Sequence, residues 1–152
     1  MKKIGFEIIE EYKDQDVNLP VRKTKYSAGY DIEALEDVVV PAFKPGIKPV
    51  IVKTGIKAYC GEDEYYMVVN RSSNPLKRGL VLSNGIGIID ADYYNNSSNS
   101  GHIMLMFYNM LQEDVTIHKH EAIGQIIFCK YLTTDDDQAI GVRTGGFGST
   151  SK

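Results

Sequence analysis

Tryptophan is absent from this chain, and cysteine occurs only twice, at Cys60 and Cys129. The two thiols sit far apart with no Cys-x-x-Cys pair, so a disulfide framework is not expected. Two reduced thiols suit a cytoplasmic protein. Long apolar runs are missing too: none approaches the ~18 residues that a membrane span needs. The opening stretch, MKKIGFEIIEEYKD, meets acidic residues too soon for a signal peptide. Neither sign of charge dominates, and a net charge of −3 gives no footprint for DNA or RNA binding. Long helical periodicity is also lacking. The single helix candidate is a turn or two around Ser73 to Arg78, where Pro75 fits only near the start.

What remains is a β-rich chain of one domain's length. Its 152 residues can bury a sizeable core, and 43% hydrophobic with 24% charged residues is ordinary for a globular protein. Ile4 to Glu10 alternates and reads as a first strand, and Leu19 to Lys25 is polar and extended. Val38 to Val40 is a short strand closed by Pro41. Ile47 to Tyr59 reads as one long strand or two joined ones, followed by a turn at residues 60–63 and a strand over Tyr65 to Val69. His102 to Asn109 alternates, and Ala122 to Leu132 is a near-continuous apolar run suited to a core strand. Turn signals every eight to twelve residues predict a sandwich or barrel. From Thr133 the chain becomes polar and glycine-rich, an unanchored arm rather than core.

The stretch from Leu82 to Asn95, LSNGIGIIDADYYN, organises the rest. Its Asn84-Gly85 is the strongest short hairpin signal, and the apolar pair Ile88-Ile89 runs into Asp90, Ala91, Asp92 and Tyr93. If the strand continues, both acids point to the same side. Four further segments join glycine to polar groups: Ala28-Gly29-Tyr30-Asp31, Arg71-Ser72-Ser73, Gly124-Gln125, and Arg143 to Thr150. Each has an ordinary reading on its own. Arg-Ser-Ser is commonly a turn, two acids commonly end a solvated strand, and Gly/Ser-rich tails are commonly linkers. Phe147 argues against a linker, because a linker gains nothing from an aromatic ring between glycines. His118 and His120 have no third ligand nearby and read as a solvated turn.

Together the five segments describe one site. Two arginines with hydroxyl- and glycine-rich backbone suit a polyphosphate. A carboxylate beside them suits activating a water or holding a divalent metal. Asn84 and Tyr93 suit a planar polar base and its sugar, and Phe147 can stack over that base. The residues themselves therefore point to nucleotide hydrolysis.

In these motifs the chain resembles the homotrimeric dUTP pyrophosphatases, the dUTPases. The match covers residues 27 to 150 through AGYDIEA, RSSNPLKRG, NGIGIIDADY, AIGQ and RTGGFGST, of which the third and fifth are the most specific. The resemblance implies an all-β, jelly-roll-like barrel or sandwich over residues 1–135, with a flexible arm over 136–152 that closes an active site. It also implies a homotrimer with sites at subunit interfaces, Mg²⁺ on the triphosphate, and hydrolysis of dUTP to dUMP and pyrophosphate. That activity keeps uracil out of DNA and supplies dUMP for dTMP synthesis. Asp90 would activate the water that attacks the α-phosphorus in line, and Asp31 would hold the metal through water. Arg71, Ser72, Ser73, Gln125, Arg143, Ser149 and Thr150 would contact phosphates. Asn84, Gly87 and Ile89 would frame the uracil, Tyr93 would pack under the deoxyribose, and Phe147 would stack on the base.

Four departures stand out. Asn95 replaces the glycine that usually ends the third motif and opens an extra loop, NNSSNSG, that resembles a variant of some phage and bacterial members. Ala122 takes a position that is usually basic, Arg143 lies one residue closer to the Gly-Gly pair than in many members, and Ser151 replaces a final glycine. Two other readings exist. The related dCTP deaminases share the fold and Arg-Ser-Ser, but lack the Asp-x-Asp-Tyr ending and the GGFGST arm. A nucleotide-gated binding protein would use residues 95–101 as the docking place of a regulatory partner.

Overall fold

The computed structural model describes residues 3–148, so Ser149 and Thr150 lie outside the described residues. The chain is built almost entirely of short strands, as the turn spacing predicts. In order these are β1 (Gly5–Ile8), β2 (Tyr30–Glu33), β3 (Val38–Val40), β4 (Val50–Lys53), β5 (Ile56–Tyr59), β6 (Glu64–Asn70), β7 (Leu80–Leu82), β8 (Gly87–Asp90), β9 (Met104–Asn109), β10 (Val115–Ile117) and β11 (Ala122–Lys130). Among the described residues a single α-helix, α1 (Ser73–Arg78), holds Pro75 in its first turn and ends on Gly79 at φ 62°.

The strands form a four-stranded antiparallel sheet, β2-β11-β6-β8, a three-stranded sheet, β4-β9-β7, and the pairs β1-β5 and β3-β10. Alternation along the strands buries one face of each. β9 hides Leu105 and Phe107, β6 hides Tyr66 and Val68, and β11 contributes Ile123 and Ile126. With Ile32, Val40, Val52, Ile56, Leu80 and Ile117 these side chains make one core enclosed by all the sheets, the architecture of a jelly-roll β fold.

The run from Ile47 to Tyr59 resolves into β4 and β5 in different sheets, and the reason is local. Gly55 takes φ 74°, and the buried Thr54 hydroxyl donates to Ile103 O at 2.5 Å, so the chain turns off one sheet onto the other. The same effect corrects the hairpin expected at Asn84-Gly85. A tight turn is present, with Gly85 at φ 71° and its N–H on Leu82 O at 3.1 Å. The strands on its two sides do not pair with each other, however: β7 pairs with β9, and β8 pairs with β6. Buried Leu80 and Leu82 draw β7 onto the second sheet. The turn therefore crosses between sheets and leaves β8 as an edge. Strands β7 and β10 are three residues each, too short for their alternation to stand out from the sequence.

Candidate active site

β8 carries the central motif and is the edge strand of its sheet, paired only with β6. Its outward backbone N–H and C=O groups are therefore free of a second ladder. The strand ends at Asp90, and residues Ala91–Tyr93 form a 3₁₀ turn. The expected strand alternation through Asp92 thus fails, because the chain bends away two residues too early. Both acids nevertheless converge on one cation. Arg143 donates from its terminal nitrogen to Asp90 Oδ2 at 2.7 Å and from Nε to Asp92 Oδ1 at 2.6 Å. The two carboxylates are exposed, while the guanidinium they hold is largely covered.

A cavity of about 240 Å³ opens beside β8. Asn84, Gly87, Ile89, Asp90, Tyr93, Arg143 and Phe147 all line it. Asn84 folds back so that its Nδ2 lies 3.7 Å from where a Cβ on Gly87 would stand. Tyr93 is buried, and its hydroxyl donates to His102 O at 2.8 Å while accepting from Asn99 Nδ2 at 2.8 Å. Burial raises the phenol's pKa, so the ring stands as a fixed, neutral wall. Phe147, largely exposed, reaches the cavity from the C-terminal arm together with Gly148. β11 ends at Lys130, and the arm expected to close the site touches the rest of the chain at Arg143, Thr144 and Gly146.

Sequence reasoning missed the floor of this cavity. Val68, Leu82, Met104, Leu105 and Met106 reach it from three other strands, and nothing local marks them as different from core residues. His102 was also missed. It is buried against Tyr12, and the Gly55 N–H donates to its Nε2 at 2.9 Å, so the ring is neutral with its proton on Nδ1. Burial, helped by nearby Lys53, pushes the imidazole down to about 4.

That shift has a consequence for stability. Between its ordinary value of 6.5 and about 4 the unfolded chain binds the His102 proton and the folded chain does not. Stability therefore rises with pH through this window and falls on acidification, by about 2 kcal/mol from this group. Urea unfolding of the wild type and His102→Gln between pH 4.5 and 7 is expected to show a shallower pH slope in the variant. Parallel slopes would remove His102 as the source.

The remaining residues expected in the site lie elsewhere on the chain. Asp31 and Gln125 face each other across β2 and β11, and a Cβ on Gly29 would fall 1.9 Å from Gln125 Oε1, so a larger residue there would push that side chain aside. Arg71 follows β6 and donates to Ala122 O at 3.1 Å. It lines a separate surface pocket with Ser73, and the exposed Ser72 sits between them. Buried Asn74 and half-buried Asn70 hold this turn, through Arg71 N–H on Asn70 Oδ1 at 2.9 Å and Asn74 Nδ2 on Ile123 O at 2.9 Å. Asp90 pairs with Tyr65 at the far end of β6. Six residue steps lead from Tyr65 to Arg71, a distance of about 20 Å. Two groups thus stand at opposite ends of one strand: a cavity with an acid at its mouth, and a cluster with cationic and hydroxyl groups.

His118 and His120 are bound by acids rather than poised as ligands. His118 approaches Asp37 at 3.4 Å, and His120 meets Glu33 at 3.0 Å and Asp16 at 3.1 Å. Cys60 and Cys129 are free thiols, and burial lifts Cys60 to about 11. No helix among the described residues is long and apolar enough to cross a membrane.

Comparison with known proteins gives one consistent answer. The dUTPase family model matches residues 15–151. A deoxyuridine 5′-triphosphate nucleotidohydrolase of Lactococcus lactis is 48% identical over 99% of both chains, and one of Debaryomyces hansenii is 35% identical over 92% of this chain and 84% of its own. The crystal structure of dUTPase from Streptococcus mutans superposes with a TM-score of 0.79 at 42% identity, covering 86% of this chain and 98% of that one. A mutant dUTPase from phage phi11 of S. aureus, described with a structural Mg(II) ion, shares the fold at 18% identity (TM-score 0.70, 92% of this chain and 98% of that one). With its jelly-roll frame and its whole length matched, the chain belongs to the dUTPase family.

Proposed function

We propose that this chain, which as a dUTPase hydrolyses dUTP to dUMP and pyrophosphate, does so with the cavity beside β8 as its nucleoside pocket and Asp90 as its base. The reading is carried by one observation: the residues expected to hold uracil and deoxyribose line a single cavity whose mouth bears Asp90. Asn84 and the outward backbone of edge strand β8 supply donors and acceptors in a fixed row. Uracil presents an N3–H donor and an O4 acceptor, and cytosine reverses both, so the wrong base leaves buried groups unpaired at a cost of a few kcal/mol. The Tyr93 ring, pinned through its hydroxyl, packs under deoxyribose and leaves no room for a 2′-hydroxyl. Asp90 accepts the proton of the water that attacks the α-phosphorus in line. Removing uracil nucleotides from the DNA precursor pool and supplying dUMP for dTMP synthesis follow from that activity.

Arg71, Ser72, Ser73 and Gln125 bind the phosphates, but with Arg71 about 20 Å and Gln125, opposite Val69, about 13 Å from Asp90 along β6 they serve a neighbouring copy. This spacing supports a homotrimer in which one chain contributes the nucleoside pocket and another the phosphate cluster. Residues 136–152 act as the closing arm, with Phe147 over the base and Ser149 and Thr150 toward the outer phosphates. The Asp90 and Asp92 bonds use two of the five guanidinium N–H donors of Arg143, so it can take a phosphate oxygen while it holds both acids.

The donors present fit Mg²⁺. No described group of three or more His, Cys, Asp or Glu side chains encloses a metal. A hard cation that keeps its waters and binds through substrate phosphates needs only a carboxylate such as Asp31 beyond them. When bound, Mg²⁺ offsets the triphosphate charge that would otherwise repel Asp90.

Pyrophosphate release from dUTP, dCTP, dTTP and UTP with Mg²⁺ tests the assignment directly. Release from dUTP alone, abolished by EDTA and restored by Mg²⁺, is expected. Comparable release from UTP or dCTP would refute the sugar or base filter, and silence on all four would refute the activity.

A further inference from the structure

The extra loop at residues 95–101 has no task in the reaction just described, yet it is tightly built. Asn95, Ser100 and Gly101 take φ of 56°, 59° and 82°, so the segment folds through successive turns and brings His102 back beside Tyr93. Asn96 is buried within it. Its Oδ1 accepts from the Ser98 and Asn99 N–H groups at 3.0 and 3.2 Å, and its Nδ2 donates to Tyr93 O and to Asn99 Oδ1, both at 2.8 Å.

These bonds fix which way the Asn99 amide faces. Its Oδ1 is taken by two donors, Asn96 Nδ2 and the Gly101 N–H at 3.1 Å, so its Nδ2 lies on the Tyr93 side. There it donates to the Tyr93 hydroxyl oxygen at 2.8 Å, and the hydroxyl gives its own proton to His102 O at 2.8 Å. His102 is held in the core in turn, with its ring against Tyr12 and its Nε2 on the Gly55 N–H. The Tyr93 oxygen is thus gripped by the loop on one side and by the core on the other. Both bonds on it fall within residues 93–102, so the arrangement needs no neighbouring copy to complete it.

We propose that the loop at residues 95–101 braces the sugar-side wall of the nucleoside pocket, with Asn99 as a positioning residue that acts through the Tyr93 hydroxyl to keep ribonucleotides out. The proposal rests on the reading of the cavity beside β8 as that pocket. A ring fixed only at its Cβ end can tip and admit a group as small as a 2′-hydroxyl. One whose oxygen is bonded on two sides must break both bonds to do so. Asn96 acts one step further back, because it holds the Asn99 amide in the orientation that presents a donor. Asn84 and the backbone of β8, which frame the base, make none of these bonds. The brace therefore bears on the sugar and not on the base.

The test compares kcat/KM for dUTP, UTP and dCTP in the wild type and in Asn99→Ala. The preference for dUTP over UTP is expected to fall about tenfold, while the preference for dUTP over dCTP holds. Tyr93→Phe, which keeps the ring and drops the hydroxyl, is expected to lower the UTP preference by a similar factor. Adding Asn99→Ala to it is expected to cost little more, because both remove the same bond. An unchanged UTP preference in Asn99→Ala, equal loss of both preferences, or full additivity of the two substitutions would overturn the brace. Tyr93→Phe leaves the bonds within the loop in place, so it reports even where Asn99→Ala fails to fold, and an unchanged UTP preference there also overturns the brace. A wild type that hydrolyses UTP as readily as dUTP refutes the sugar filter itself. That result is distinct from a wild-type filter that survives both substitutions, which refutes the brace alone.

Discussion

Asp90→Asn is expected to lower kcat for dUTP by about 10²–10⁴-fold while nucleotide binding stays measurable. The substitution keeps the shape of the side chain and one acceptor for Arg143, but removes the charge and the proton-accepting oxygen. Asp90 is exposed at the end of an edge strand, so the fold does not depend on it. Losing a negative charge beside a triphosphate also lessens repulsion, so affinity is expected to hold or improve. Single-turnover hydrolysis together with equilibrium binding of dUTP separates the two effects. A near-normal kcat would remove Asp90 from the chemical step and leave Asp92 as the next acid to examine.

Deleting residues 143–152 is the second large effect, and it dissociates activity from stability. The deletion removes Phe147 from the cavity and Arg143 from Asp90 and Asp92, so kcat/KM for dUTP is expected to fall by about 10²-fold or more. Stability should change little, because each of the two ion pairs to exposed carboxylates contributes about 0–1 kcal/mol and no described side chain of the arm joins the core. For a chain of this size that is a fall in Tm of about 8 °C at most. A truncated protein with wild-type turnover would refute the closing role. A collapse of Tm would mean that the segment is part of the fold.

The two deletions of function differ in an instructive way. Asp90→Asn should spare binding and stop chemistry, whereas loss of the arm should weaken both, since it takes Phe147 away from the cavity together with Arg143. Arg143 links the two cases. Two short charge-assisted bonds hold it between Asp90 and Asp92, so the arm's position and the surroundings of Asp90 are coupled through one guanidinium.

Much of this protein was legible in the chain itself. Alternation over Met104–Asn109 and the apolar run from Ala122 announce strands because burial on one face leaves a period of two in any sequence. The cluster Asn84, Gly87, Ile89, Asp90 and Tyr93 was legible because residues this close in sequence, on one strand and its following turn, have little choice but to share a site. The 3₁₀ turn after Asp90 was not, since a strand end depends on what its partner offers, and β6 pairs with β8 only as far as Tyr65 opposite Asp90.

Local turn chemistry said that the chain reverses at Asn84-Gly85, and it does. It could not say which sheets the flanking strands join, because strand pairing is settled by distant partners, β9 for one side and β6 for the other. The same limit applies to the arm. Composition alone marks residues 133–148 as polar and glycine-rich, and that much is set by the sequence. Where the arm lies was decided by the tertiary structure, through hydroxyls of Ser97 and Ser98 that meet Thr144 and Gly146 across almost fifty residues. The separation of Arg71 and Gln125 from Asp90 was decided in the same way, by the register of β6 with its two neighbours. Sequence carries short-range periodicity and the chemistry of each residue, whereas the pairing of remote edges depends on the free energy of the whole packed chain.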